Sequence, residues 1–245
     1  MSELPMLDFQ TALTRLAPTT GGLDPFRSFR PGDAERACLE VLRQSAGFRF
    51  TAAVQHSWCA RRAVNAGLLA LSIMHDDARR RLLGAWIRCG GGTSSLFAAE
   101  ADALLEFIAE QLPDPSPELA VCRFEQLTLR ANDAASSFTA PDRPLFELRR
   151  IVRQGRHAGV VLFHGEPDMI LNALWHRKPL PDFSPEVTPL LVAPGLKPLC
   201  RIASRHELEL WNKLAVPMVS TALEQDRWRR DAIETMLHVG ALEFA

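Results

Sequence analysis

The chain has 245 residues, of which 47% are hydrophobic and 23% are charged, and its formal net charge is −1. This length and composition predict one large or two small globular domains with a substantial core. The near-neutral charge argues against a protein that binds nucleic acid or a membrane surface through a general basic field.

The sequence predicts neither a membrane span nor a signal peptide. No apolar run reaches the length of a membrane span, and the N-terminus carries acids and a proline where a signal peptide has cations. We therefore expect a cytoplasmic protein. The five cysteines are scattered without a CxxC pattern, which predicts reduced and mostly buried thiols.

The N-terminal half is predicted to be an arm followed by helices. Residues 1–33 are rich in proline, glycine and threonine and form a predicted irregular arm. Residues 34–140 form a predicted helical docking domain, in which a helix begins after Asp33 and a well-buried helical segment runs from Thr51 to about Met74. The glycines and serines of Cys89 to Ser95 end one helix and begin the next.

The stretch "CRFEQLTLRAN", Cys122 to Asn132, belongs to the next predicted helix, which is capped by Ser116 and has a proline at its first position. Phe124, Leu127 and Ala131 lie on its apolar face. Its polar side chains allow two interpretations: they form a solvated face, or they lock two domains or a partner together. The residues assigned to such a partner interface are Arg123, Glu125, Gln126 and Arg130.

Residues 141–245 are predicted to form a smaller α+β module. Leu145 to Gln154 and His157 to Gly165 form a predicted β-hairpin, and the proline-interrupted run from Val187 is assigned to strands at a sheet edge. Short helices complete the module. The predicted fold class is therefore α+β, with a helical N-terminal half and a small winged-helix-like module that holds a short antiparallel sheet.

The sequence contains none of the common signatures of catalysis. The seven histidines show no metal-ligand spacing, no nucleophile motif is present, and no glycine-rich phosphate loop follows a strand. Cys59, which has His56 nearby, and His164, which has Glu166 and Asp168 nearby, are the two sites that would suit an independent enzyme. We therefore predict a binding protein with no catalytic residues of its own and no bound metal or cofactor.

Two strings carry a resemblance to a known family: "CRFEQ" in the predicted helix and "LLVAPGLKPLC", Leu190 to Cys200, in the β-rich segment. Over Glu118 to Cys200 the chain resembles the MbnC-like partner subunits of methanobactin biosynthesis. The resemblance implies a heterodimer with an MbnB-like, iron-dependent TIM-barrel oxygenase that holds the iron. It also implies an MbnA-like precursor peptide, whose cysteines become oxazolone and thioamide groups that bind copper.

A leader peptide requires an exposed strand edge. The run His157 to Gly165 contains consecutive apolar residues and is predicted to be central, whereas the run before it alternates and is predicted to be the edge. The predicted peptide-binding residues are Leu145, Phe146, Glu147, Leu148, Arg149, Arg150, Ile151 and Val152. The alternative function is a winged-helix DNA-binding regulator that uses the small basic patch from Arg227 to Asp231, against which the surrounding acids and the net charge argue.

Overall fold

The computed structural model describes residues 33–92, 97–141, 150–182, 184–225 and 230–245. This part of the chain contains ten α-helices and six β-strands, which confirms the α+β class and the concentration of helices in the N-terminal half. The helices are α1 (Asp33–Gln44), α2 (Ala46–Ala66), α3 (Leu68–Ser72), α4 (Asp76–Arg88), α5 (Phe97–Ala109), α6 (Pro117–Ala135), α7 (Pro167–Trp175), α8 (Arg205–Lys213), α9 (Ser220–Gln225) and α10 (Arg230–His238). The strands are β1 (Ile151–Gln154), β2 (Gly159–His164), β3 (Val187–Val192), β4 (Cys200–Ile202), β5 (Met218–Val219) and β6 (Leu242–Phe244).

The chain divides into two compact units, Met1–Phe107 and Ile108–Ala245. Among the described elements, α1 to α4 and most of α5 belong to the first unit, and α6 and all six strands belong to the second. The predicted docking domain of residues 34–140 therefore includes one helix, α6, that packs against β2 and β3 in the second unit.

The second unit contains two antiparallel three-stranded sheets, with strand orders β5-β1-β6 and β2-β3-β4. The predicted hairpin between the segments of β1 and β2 is therefore wrong. After β1 the chain turns at Gly155, whose N–H donates to the Ala241 carbonyl at 2.8 Å. This bond ties the turn to the chain before β6, and the following strand enters the other sheet.

Helix boundaries in the second unit follow the capping chemistry of the sequence. The Ser116 hydroxyl accepts a hydrogen bond from the Leu119 N–H at 3.1 Å, and Pro117 opens α6. Ser204 and Glu207 form a reciprocal capping box at the start of α8. These bonds satisfy N–H groups that the helix itself leaves unpaired.

The first unit departs from prediction at α2, which was expected to be well buried. Gly67 separates it from α3, and only small side chains of α2 are buried: Ala52, Cys59, Ala63 and Ala66. Trp58, which lies within the segment predicted to be well buried, is 53% exposed. Alanine-rich composition predicts the helix correctly, but it does not determine which face packs.

Among the described residues, no helix combines the length and apolar character that a membrane span requires.

Candidate peptide-binding edge

The outer edge of the sheet β2-β3-β4 is formed by β2, whose one neighbour among the described strands is β3. The register places Leu162 opposite Pro189. The Pro189 carbonyl accepts a hydrogen bond from the Ala203 N–H at 2.9 Å, so the main-chain groups of Pro189 face the β4 side. In an antiparallel ladder, residues that lie opposite one another either bond to each other or both face away. The N–H and C=O of Leu162 therefore point away from β3.

The same alternation turns the main-chain groups of Val160 outward, because it lies two residues before Leu162. Within the described part of the chain, neither residue makes a backbone hydrogen bond beyond the sheet ladder. Two N–H groups and two C=O groups thus form a row along β2 that is unpaired among the described residues. Such a row is a template on which an extended chain can add a strand.

One face of β2 is fixed by α6. Phe163 is fully buried, and its ring meets that of Phe124 edge to face with centroids 6.0 Å apart. Gly159 lies so close to α6 that a Cβ atom there would be 2.4 Å from Leu127 Cδ1. On the opposite face the Leu162 side chain is 47% exposed. The helix therefore holds the strand rigidly on one side and leaves an apolar side chain in solvent on the other.

The peptide-binding segment predicted from the sequence lies elsewhere. Leu145 to Arg149 fall outside the described residues. Ile151 and Val152 belong to β1, the central strand of its sheet, with β5 on one side and β6 on the other. The expectation of an edge strand is wrong for these two residues, because both of their flanks already have partners.

Arg150 precedes β1 and has two contacts of its own. Its carbonyl accepts a hydrogen bond from the Ser220 N–H at 2.9 Å, and its guanidinium carbon lies 4.2 Å from the centre of the Phe244 ring. The residue thus packs on its own sheet.

The polar residues of α6 are largely internal. Gln126 is 1% exposed, and Glu125 is also buried. The Gln126 Oε1 atom accepts a hydrogen bond from Arg123 Nη1 at 3.0 Å, and Arg130 is half-buried. The solvated-face interpretation, which covered Arg123, Gln126, Arg130 and Asp133, is wrong for Gln126, because that side chain is buried. The interpretation that Arg123, Glu125 and Gln126 lock two domains or a partner together stays a prediction.

The Cys59 thiol is held as a hydrogen-bond donor. It is buried, and its Sγ atom lies 3.3 Å from the Gly92 carbonyl oxygen, to which the thiol donates. Burial, reinforced by the negative charge of Glu100, raises the pKa of the Cys59 thiol. His56, which was considered as its activating partner, is exposed. These features are opposite to those of a reactive cysteine, which needs a lowered pKa and solvent access.

We expect iodoacetamide to modify Cys59 at least about tenfold more slowly than the exposed Cys89 at pH 7.5, because the thiolate form and access are both reduced. Mass spectrometry of the labelled peptides over time measures both rates in one sample. Labelling in denaturant, where both thiols are open, serves as the control. Equal rates in the folded protein would restore Cys59 as a candidate nucleophile.

The remaining sequence candidates do not assemble into a site. Within the described ranges, no three histidine, cysteine, aspartate or glutamate side chains form a group that could hold a metal ion. His164 ends β2, and the exposed Glu166 and Asp168 lie at the start of α7. Absence of a bound metal in solution stays a prediction.

Of the small basic patch, Arg227 to Arg229 lie outside the described residues. Arg230 donates from Nε to the Glu234 carboxylate at 2.8 Å, one helical turn along α10. This arginine therefore has an intrahelical partner, which accounts for its position without a nucleic acid.

The edge residues Val160 and Leu162 were missed because their run of apolar side chains predicted a central strand. The proline in "VTPLLV" did not identify them, because it predicted the edge at β3, which the structure places at the centre of the sheet. No protein-family model matches the chain, and no curated protein matches it.

Proposed function

We propose that the chain is a non-catalytic, cytoplasmic subunit that docks an iron-dependent TIM-barrel oxygenase and holds the leader of a precursor peptide. In this role it would assist the conversion of peptide cysteines into oxazolone and thioamide groups that chelate copper. The iron would belong to the partner subunit of the heterodimer. The proposal rests on the resemblance over Glu118 to Cys200 together with the geometry of β2.

The unpaired row at Val160 and Leu162 is the observation that carries the proposal. An extended leader could bond to these main-chain groups and extend the sheet to four strands. Main-chain bonds supply affinity in this mode, and alternate side chains of the peptide supply specificity. The exposed Leu162 side chain would contact one of them. We therefore propose β2 as the peptide site in place of the segment Leu145–Val152, which the sequence predicted.

The location of this edge agrees with the extent of the resemblance. Helix α6, which carries "CRFEQ", packs against β2 and β3, and the string "LLVAPGLKPLC" begins within β3 and ends at the first residue of β4. The helix that carries the first string thus covers one face of β2, and the strand in which the second string begins pairs with the inner edge of β2. This arrangement suits a rigid platform, because the edge strand itself needs little change in shape to accept a peptide.

Replacing Leu162 with proline tests the proposed edge. Proline removes an N–H that points outward, so the β2–β3 hydrogen bonds keep their donors, and edge strands tolerate the residue. We expect affinity for a fluorescein-labelled precursor peptide to fall by about tenfold or more, because the added strand loses a main-chain bond and meets the proline ring. Fluorescence anisotropy measures the affinity for the chain alone and for its complex with the oxygenase.

Leu162→Ala is the matched control, since it shortens the same side chain and keeps the N–H. It should weaken binding less than the proline variant does. Leu148→Pro tests the segment predicted from the sequence, and circular dichroism verifies folding of all three variants. If Leu162→Pro keeps full affinity for the precursor peptide and Leu148→Pro loses it, the peptide site lies at Leu145–Val152 and not at β2. A wild-type complex that binds no precursor peptide would refute the proposed function.

A further inference from the structure

Helix α2 exposes a row of three large apolar side chains. Phe50, Val54 and Trp58 lie at i, i+4 and i+8, and they are 72%, 53% and 53% exposed. Residues with this spacing fall on one ridge of a helix. The row is therefore a continuous apolar surface rather than a set of isolated side chains, and such surfaces mark interaction sites.

A groove of about 410 Å³ runs beside this ridge. Among the described residues, those that line it all belong to α2, and they are Phe50, Ala53, Val54, Ser57, Trp58 and Arg61. Ala53 and Ser57 form a neighbouring row of small side chains at the same spacing of four, and Arg61 stands at its end. The ridge of a second helix can pack into the groove that two such small residues leave beside a row of large ones.

The charge of α2 indicates the chemistry of its partner. The helix contains three arginines, Arg49, Arg61 and Arg62, and no acidic residue, although the whole chain has a net charge of −1. Arg61 is exposed at one end of the groove. A helix that fills the groove would therefore place a carboxylate there. A second copy of the chain that packed its own α2 into the groove would instead bring arginines against arginines.

Trp58, which lines the groove, is held in place by Arg62 and Glu100. The Arg62 guanidinium carbon lies 4.5 Å from the centre of the Trp58 ring, and Arg62 Nη2 lies 2.8 Å from the buried Glu100 carboxylate. This chain of contacts fixes the indole although one of its faces is in solvent. A fixed aromatic side chain loses little conformational entropy on binding, which is typical of side chains that dominate interface energetics.

We propose that this groove of α2 is the docking surface for the oxygenase, and that it receives an amphipathic helix whose apolar row fills the groove and whose carboxylate pairs with Arg61. The inference rests on the proposed function, because it assigns the surface by which the subunit docks its enzyme. It also separates the two tasks of the chain, since enzyme docking lies in the first unit and the peptide edge in the second.

The test compares two identical substitutions in the full chain. Val54→Asp places a carboxylate in the middle of the groove, where it would meet apolar and acidic partner groups. Val216→Asp makes the same change at a valine that is 69% exposed in the second unit. Isothermal titration with the purified oxygenase should show affinity reduced by about tenfold or more for Val54→Asp and within about twofold for Val216→Asp.

Peptide affinity of Val54→Asp, measured by anisotropy without the oxygenase, is expected to equal that of the wild type, which shows that the variant is folded. Wild-type binding of the oxygenase with equal binding by Val54→Asp would overturn the docking surface and leave the proposed function standing. No oxygenase binding by the wild type would overturn both. A wild-type dimer that Val54→Asp converts to a monomer in light scattering would show a second copy in the groove and would also overturn the inference.

Discussion

Replacing Phe163 with alanine is expected to lower the free energy of unfolding by about 3–5 kcal/mol. The side chain is fully buried between β2 and α6, where its ring meets Phe124 edge to face. Truncation loses apolar contact, leaves a cavity and removes an aromatic pair. Urea denaturation followed by circular dichroism measures the change. An unaltered m-value, the slope of the free energy of unfolding against urea concentration, would show that the wild type and the variant expose the same surface on unfolding.

The neighbouring residue supplies the matched control. Leu162 lies on the opposite face of the same strand and is exposed, so Leu162→Ala should cost under about 1 kcal/mol. A large difference between adjacent positions is the expected signature of an edge strand with one covered face. Similar losses in both variants would contradict the packing of β2 and weaken the case for a peptide site at its edge.

Local chemistry made several boundaries predictable from the sequence. Ser116 with the proline that follows it predicted the start of α6, because caps depend on residues within one turn. The same local chemistry is present at Ser204 and Glu207, where α8 begins, and at Gly240, which has a φ of 72° just after α10 ends. Signals of this kind need no knowledge of the rest of the fold.

Strand order was not predictable in the same way. The consecutive apolar residues of β2 predicted a central strand, and Pro189 predicted an edge for β3, yet the structure reverses both. β2 has one face under α6, and on the other face Val160 packs against the core. Its residues from Val160 to Phe163 are therefore all apolar, although its outer edge has no partner among the described strands. Pro189 is tolerated in the central strand because it lies at the end of the β3–β4 ladder, where only its carbonyl is needed.

Burial of polar and apolar side chains was equally difficult to predict. The solvated-face interpretation placed Gln126 at the surface, but the side chain is buried, whereas Trp58 is exposed although it lies in the segment predicted to be well buried. Periodicity identifies a helix and its faces, but which face is covered depends on elements that are distant in sequence. Both candidate surfaces, the edge of β2 and the groove of α2, therefore became visible only in the folded chain.

An ion pair between Arg201 and Glu207 joins β4 to α8. Arg201 binds the buried Glu207 carboxylate through both of its terminal nitrogens, one of them, Nη1, at 2.9 Å from Oε2. The Ser204 N–H donates to the same carboxylate at 2.8 Å. The Arg201 hydrogen bonds, assisted by those from Ser204, lower the pKa of Glu207 to about 2 from its ordinary value of 4.5.

A carboxyl with a lowered pKa stabilises the fold at pH values above its unfolded pKa and loses that contribution as the pH falls through its folded pKa. For Glu207 the loss runs from about pH 4.5 to about pH 2. The contribution at neutral pH is about 2–3 kcal/mol, discounted because the Arg201 side chain is 34% exposed.

Glu207→Gln should therefore lower the free energy of unfolding by about 2–3 kcal/mol at pH 7, and its difference from the wild type should shrink to about a quarter of that value at pH 2.5, just above the folded pKa of about 2. Glutamine can keep the capping box, so the variant isolates the charge. Denaturant unfolding at pH 7, 5, 3.5 and 2.5 measures the difference. The control is Glu243→Gln, which removes the charge from a half-exposed pair with Arg153 and should cost under about 1 kcal/mol. A loss in Glu207→Gln that is the same at every pH would assign the effect to packing, and would contradict the ion pair as the source of stability at this joint.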